Sequence, residues 1–326
     1  MKGLLARLKP DLYVILIVGM MVLASLAPVR GEAATALGWA TKVGIGLVFF
    51  LHGARLSREA VSRGLTHWRL HLLVLATTFG LFPLLGVGIA ALPAAITPAA
   101  LAPGIVLLAC LPSTVQSSIG FTAIARGDVA AAVASATASN LLGVILTPLL
   151  AAVALHSTGG GFSLQSVQTI ALQLLAPFAA GQILRTWIGP WITARARVLA
   201  WVDRGAILML VYAAFSAAVV EGLWREVSAA DLLRLLLICA GLLAVVLAIT
   251  TFAARAFGFS KEDEIAIVFC GSKKSLASGA PIASVLFPPA LVGPMILPLM
   301  LFHQLQLMAC AVIAQNYARR AETAQG

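Results

Sequence analysis

Charge is what this chain has least of: only 10% of its 326 residues are charged, and only 12 of them are acidic. A soluble domain carries about 25% charged residues. With 61% apolar residues and a mean hydropathy of +1.01, a water-soluble fold is excluded. The acids Asp11, Asp128, Asp203, Glu221, Asp231 and those from Glu262 to Glu264 all fall near the ends of apolar runs. No carboxylate is therefore expected at membrane mid-depth. There is also no HExxH motif, and no nucleophile with a base in register, so an enzyme is not expected. Cysteine is scarce as well. Cys110, Cys239, Cys270 and Cys310 lie inside apolar stretches without CxxC spacing, which predicts packed, reduced thiols and no metal site.

What the chain does have is a formal charge of +10, carried by Lys and Arg residues placed singly at segment ends. A nucleic-acid partner would need them along one face, so the pattern is that of topogenic charge. A bilayer core of about 30 Å takes on the order of 20 apolar residues per helix. Such runs occur near 11–29, 36–53, 68–91, 100–126, 128–154, 164–187, 202–222, 231–257, 263–287 and 290–317, giving ten spans. With the N-terminus inside, sixteen of the 22 basic residues collect on the cytoplasmic side. Only Arg30, Lys42, Arg225 and Arg234 fall opposite, while Lys273 and Lys274 lie within a span. The positive-inside rule thus predicts a multi-pass inner-membrane protein with both termini cytoplasmic. The first apolar run could instead be a signal peptide cleaved near Ala27, but the repeat described next requires it as a retained span. The segment from Ala54 to Arg63 reads either as a short interfacial helix or as a solvated basic loop.

Two halves, 1–157 and 158–326, match in their marks. Thr77-Thr78-Phe79 in the third run corresponds to Thr250-Thr251-Phe252 in the eighth. LLACLPSTVQSSIGFTAIARGD in the fourth corresponds to IVFCGSKKSLASGAPIASV in the ninth. Each of the latter pair has an apolar half, a cysteine, a Pro or Gly break, a polar cluster and a second half. The expected fold is all-α, two inverted five-helix repeats with spans 4 and 9 broken.

Hydrocarbon cannot satisfy a free N–H or C=O, so a break at mid-depth survives only where protein or a wet cavity lines it. Around Pro112 the residues Ser113, Thr114, Gln116, Ser117 and Ser118 offer oxygens suited to a small hard cation. Helix N-termini there suit an anionic group. Isolated membrane Ser and Thr mostly bond their own helix, but five polar residues in six positions weigh against that. In the ninth run Ser272, Lys273, Lys274 and Ser275 put two ammonium groups in an apolar stretch, each costing about 2.5–3.5 kcal/mol on insertion scales. One could snorkel or cap a carbonyl end; at least one is expected to face the cavity. With no acid at depth, their partners are carbonyl oxygens or an anionic ligand. His303, Gln304 and Gln306 form a polar patch on the tenth run, as do Ser135, Thr137, Ser139 and Asn140 on the fifth. A lone membrane histidine serves packing as often as binding, whereas Asn140 beside Ser139 reads as cavity-facing.

GLVFFLHGARLS from Gly46, CLPSTVQSSIGFTAIARGD from Cys110, TASNLLGVILTPLL from Thr137, FCGSKKSLASGAPIA from Phe269 and FHQLQL from Phe302 resemble the bile acid:sodium symporter superfamily, in its divergent SBF-like branch. The resemblance covers nearly the whole chain. It implies a panel and a core domain, with spans 4 and 9 crossing at their unwound points beside a substrate cavity and two sodium sites. It implies alternating-access transport of a small organic anion, with sodium as the only cofactor. Taking the polar clusters and that resemblance together, Thr78, Ser113, Thr114, Ser117, Ser118, Ser139, Ser272 and Ser275 are ion-site candidates; Gln116, Asn140, Lys273, Lys274, His303 and Gln304 are cavity candidates. The chain departs from the family where bile-acid-type members carry a Glu and a Gln as sodium ligands in span 9. Here Cys270, Gly271, Lys273 and Lys274 stand there instead. A tethered ammonium in place of the ion, giving uncoupled, exchange-type or proton-linked transport, is the alternative this suggests, and a non-transporting regulator on the same fold is another.

Overall fold

A computed structural model describes residues 12–55, 67–157 and 164–323. The described residues contain helices and turns but no strand. We number the helices α1 (Leu12–Leu26), α2 (Gly31–Arg55), α3 (Trp68–Ala76), α4 (Phe82–Ala90), α5 (Ala102–Cys110), α6 (Gln116–Ile124) and α7 (Val129–Ser157). The second half supplies α8 (Leu164–Ala194), α9 (Ala196–Val220), the single turn α10 (Leu223–Glu226), α11 (Ala229–Ala256), α12 (Lys261–Gly271), α13 (Leu276–Leu286) and α14 (Pro289–Thr323). Among the described residues, six helical stretches are long and apolar enough to cross a bilayer: Gly31–Arg55, Trp68–Ala90, Val129–Leu155, Ala196–Val220, Ala229–Ala256 and Pro289–Arg320. Most of the segment from Ala54 to Arg63 lies outside the described residues, apart from its first two, which end α2.

Local chemistry explains the boundaries. Ser228 and Asp231 form a reciprocal capping box at the start of α11, and Ser260 accepts from the Asp263 amide to start α12. Leu111 is extended, at φ −76° and ψ 156°, because the ring of Pro112 forbids the residue before it a helical backbone. That ends α5 and opens a break over 111–115. The second break covers 272–275 and closes when the Ser275 hydroxyl accepts from the Ser278 amide.

The stretch from 68 to 90 carries a feature that hydropathy does not show: Thr77–Leu81 is a π turn between α3 and α4. The Phe82 amide bonds Thr77 O rather than Thr78 O, and Pro83 has no amide to offer in its place. The Thr78 carbonyl is therefore left without a helical donor.

Packing sorts the helices into two groups. α1, α2, α8 and α9 lie against one another, and the two broken pairs pack with α3, α4, α7, α11 and α14. α2 and α8 cross so closely that only glycine fits. A Cβ at Gly53 would stand 2.0 Å from Phe178 O, and one at Gly181 would stand 2.0 Å from Phe50 O. α9 joins the groups by packing on α13 and α14.

Candidate functional site

The two breaks face each other, and each satisfies the other's loose backbone ends. Two of the last carbonyls of α12 are taken by serines of the first break and of α6: Ser113 Oγ donates to Cys270 O at 2.6 Å and Ser118 Oγ to Phe269 O at 2.9 Å. The Ser275 amide donates to Pro112 O at 2.9 Å, joining the breaks by backbone. In return, Lys274 reaches from the second break to the carbonyl end of α5. Its Nζ donates to Ala109 O (2.7 Å), Leu111 O (2.7 Å) and Thr78 O (2.8 Å), the last being the carbonyl freed by the π turn. Three acceptors match the three N–H bonds of an ammonium group. Phe82 lies under the same nitrogen, 4.1 Å from it to the ring centroid.

Lys273 is held more lightly. Its Nζ donates to Ser117 O at 2.9 Å and stands 4.0 Å from the ring centroid of Phe121 and 5.4 Å from that of Phe269. Both lysines are fully buried. Gln306 grips the Lys274 peptide from both sides, accepting from its amide at 2.8 Å and donating to its carbonyl at 2.9 Å. Gln306 Nε2 also lies 2.8 Å from His303 Nδ1, which fixes the ring where α14 passes the crossing.

The remaining hydroxyls are engaged too. The Ser113 amide donates to Ser139 Oγ, Asn140 Nδ2 donates to Ser113 O at 2.8 Å, and Ser278 Oγ donates to Asn140 Oδ1 at 2.9 Å. Thr114 Oγ1 sits within 2.7 Å of Ser117 Oγ and 3.0 Å of Ser118 Oγ. Thr78 Oγ1 and Ser272 Oγ donate back to Val74 O and Val268 O in their own helices.

Beside the crossing lies a cavity of about 530 Å³, within the range of small-molecule sites. One wall is the crossing itself, with Thr114, Gln116, Ser117, Asn140, Ser275, Ser278 and His303; the other comes from α1, α2, α8 and α9. Gln116, Asn140 and His303 thus share one cavity. Gln304 is not on its wall, and its buried Oε1 has no hydrogen-bond partner. Neither Lys273 nor Lys274 lines the cavity, which differs from the expectation that one of them would. The reason is physical: helix breaks leave carbonyls pointing back into the protein, and a tethered cation satisfies these better than it satisfies an open space.

Sequence reasoning missed the opposite wall. His52, Arg55, Asp203 and Arg204 all line the cavity, and Arg55 pairs with Asp203. Arg204 stands over the rings of Tyr13 and Trp201 at 5.4 and 5.2 Å. Among the described residues, Asp203 is the one carboxylate on the wall, against two guanidinium groups and two imidazoles. Span-end charge was visible in the sequence, but which span ends turn toward the crossing depends on packing.

A family model described as the SBF-like CPA transporter family matches residues 11–319. The chain belongs to that family. The resemblance to the bile acid:sodium symporter superfamily, in a divergent branch, is thereby borne out, and the family places the chain among membrane transporters. The chain is 56% identical over 320 residues to the uncharacterized protein PA2026 of Pseudomonas aeruginosa PAO1, covering 98% of this chain and 96% of that one. It is 48% identical over 315 residues to YfeH of Escherichia coli K12, a protein that carries the name of a symporter, covering 97% and 95%. Sodium/bile acid cotransporter 7-B of Xenopus laevis is more distant, 26% identical over 321 residues, covering 95% of this chain and 92% of its own.

Proposed function

We propose that this family member carries a small organic anion across the inner membrane by alternating access. Ten spans in two inverted five-helix repeats, 1–157 and 158–326, form a core built on the crossing and a panel made by α1, α2, α8 and α9. Both termini are cytoplasmic. The observation that carries the reading is the cavity between these two helix groups, walled by both half-helix starts and richer in cationic than acidic side chains. A substrate there is reached from one side or the other as the core moves against the panel.

The coupling is read from Lys274. An ammonium bonded to three carbonyls at the crossing does what a bound cation would do, so transport here is sodium-independent, with the cation supplied by the chain. Sodium in the names of the 26%-identical relatives belongs to those proteins.

The test is counterflow in proteoliposomes loaded with a panel of monocarboxylates, dicarboxylates and taurocholate, run in NaCl and in choline chloride. The expected result is exchange of at least one anion at equal rate in both salts, reduced at least tenfold by Asn140→Ala. A rate that requires sodium would overturn the coupling assignment. Folded protein that exchanges no anion of the panel would overturn transport itself.

A further inference from the structure

A second cavity, of about 510 Å³, lies away from the crossing, between α11 and α14. Its lining follows one face of each helix. α11 gives Leu247, Ala248, Thr251, Phe252 and Arg255, and α14 gives Ile313, Asn316, Tyr317 and Arg320. These positions recur every three or four residues, so each set forms a stripe along its helix. Both stripes change character in the same direction. They are apolar at Leu247, Ala248 and Ile313, and polar eight and seven residues later at Arg255 and Arg320.

The polar end is built on a buried acid. Glu264, 3% exposed, accepts from Arg255 Nε and Arg255 Nη2 at 3.1 Å each, from Lys261 Nζ at 2.7 Å and from the Tyr317 hydroxyl at 2.8 Å. One carboxylate thus holds two cations, and Arg320 lines the same cavity. Those bonds use two of the five N–H donors of Arg255, whose side chain is 56% exposed. Phe252, which also lines the cavity, is 73% exposed.

We propose that this groove holds an anionic phospholipid, its phosphate at Arg255, Arg320 and Asn316 and an acyl chain along Leu247, Ala248 and Ile313. A soluble phosphate would use only the polar end. The apolar continuation and the exposed phenyl ring favour a lipid, and the basic end falls on the side where the chain's Lys and Arg collect. Arg255 is bonded to Glu264 in the first turn of α12, the half-helix that ends at the lysine pair. Occupancy of the groove is therefore placed to steady that half-helix.

The experiment is native mass spectrometry of the full chain released from micelles containing equimolar dioleoyl phosphatidylglycerol and dioleoyl phosphatidylcholine. Melting of the same samples is followed in parallel. The expected result is at least fivefold preferential retention of one phosphatidylglycerol, lost in Arg320→Gln and also in Ala248→Trp, which fills the apolar end without changing charge. Equal retention of the two lipids would overturn the proposal. So would a preference that survives both variants, since it would then come from the basic surface in general, and so would equal stabilisation by glycerol 3-phosphate, which has no acyl chain.

Discussion

At the scale of single residues, adjacent lysines in one break do different work. Lys274 meets three carbonyls, whereas Lys273 has one carbonyl and two rings. Leaving a buried carbonyl without a donor costs about 1–3 kcal/mol, hence at least about 3 kcal/mol for a set of three. Lys274→Met should therefore lower stability by about that much, and Lys273→Met by about 1–2 kcal/mol, the size of one hydrogen bond and a desolvated ring contact. Thermal melting of the two purified variants checks this, and equal losses would contradict the assignment of roles. The sequence disclosed that two ammonium groups sit in an apolar stretch and that their partners are carbonyls or an anion. It did not disclose which carbonyls. One of them exists only because a π turn shifts the Phe82 amide and Pro83 cannot replace it, a joint consequence of two residues in another span. Gln306 was visible as part of a polar patch, but its two-sided hold on the Lys274 peptide depends on where α14 passes the crossing.

At the scale of elements, α2 and α8 are held at a separation that allows no side chain at two points. Gly53→Ala and Gly181→Ala would each put a methyl carbon 2.0 Å from a backbone oxygen that cannot turn away. Overpacking of this kind typically costs about 1–3 kcal/mol, and a backbone clash belongs at or above the upper end. Gly46 on the same helix meets nothing within 4 Å, so Gly46→Ala should be neutral or gain up to about 1 kcal/mol of helix propensity. The comparison is read from the melting temperatures of the three variants. Equal behaviour would mean that the helices slide apart without cost. Helix positions were largely legible from apolar run length, and the broken segments from Pro112 and the Gly271-to-Ser275 string. The close approach was not, because Gly53 and Gly181 look like any other glycine in an Ala- and Leu-rich run until the helices are set side by side.

At the scale of the whole molecule, the proposed topology has a consequence for chemical access. All four cysteines are buried, so the wild-type chain offers no ready thiol to a polar reagent. Gln116 is exposed on the cavity wall, and the same cavity runs to Arg55 and Arg204, which charge placement assigns to the cytoplasmic side. Gln116→Cys should then react with a membrane-impermeant maleimide in inside-out vesicles at least tenfold faster than in right-side-out vesicles. Wild type should stay unlabelled in both. Labelling from the periplasmic side alone would reverse either the orientation or the face to which the cavity opens. A Lys42→Cys variant, placed by the same rule on the opposite side, separates the two: if it labels from outside, the topology stands and the cavity faces outward. An anion that drives exchange should slow the reaction at Gln116→Cys but leave Lys42→Cys untouched, because only the former lies on the wall that a substrate would cover.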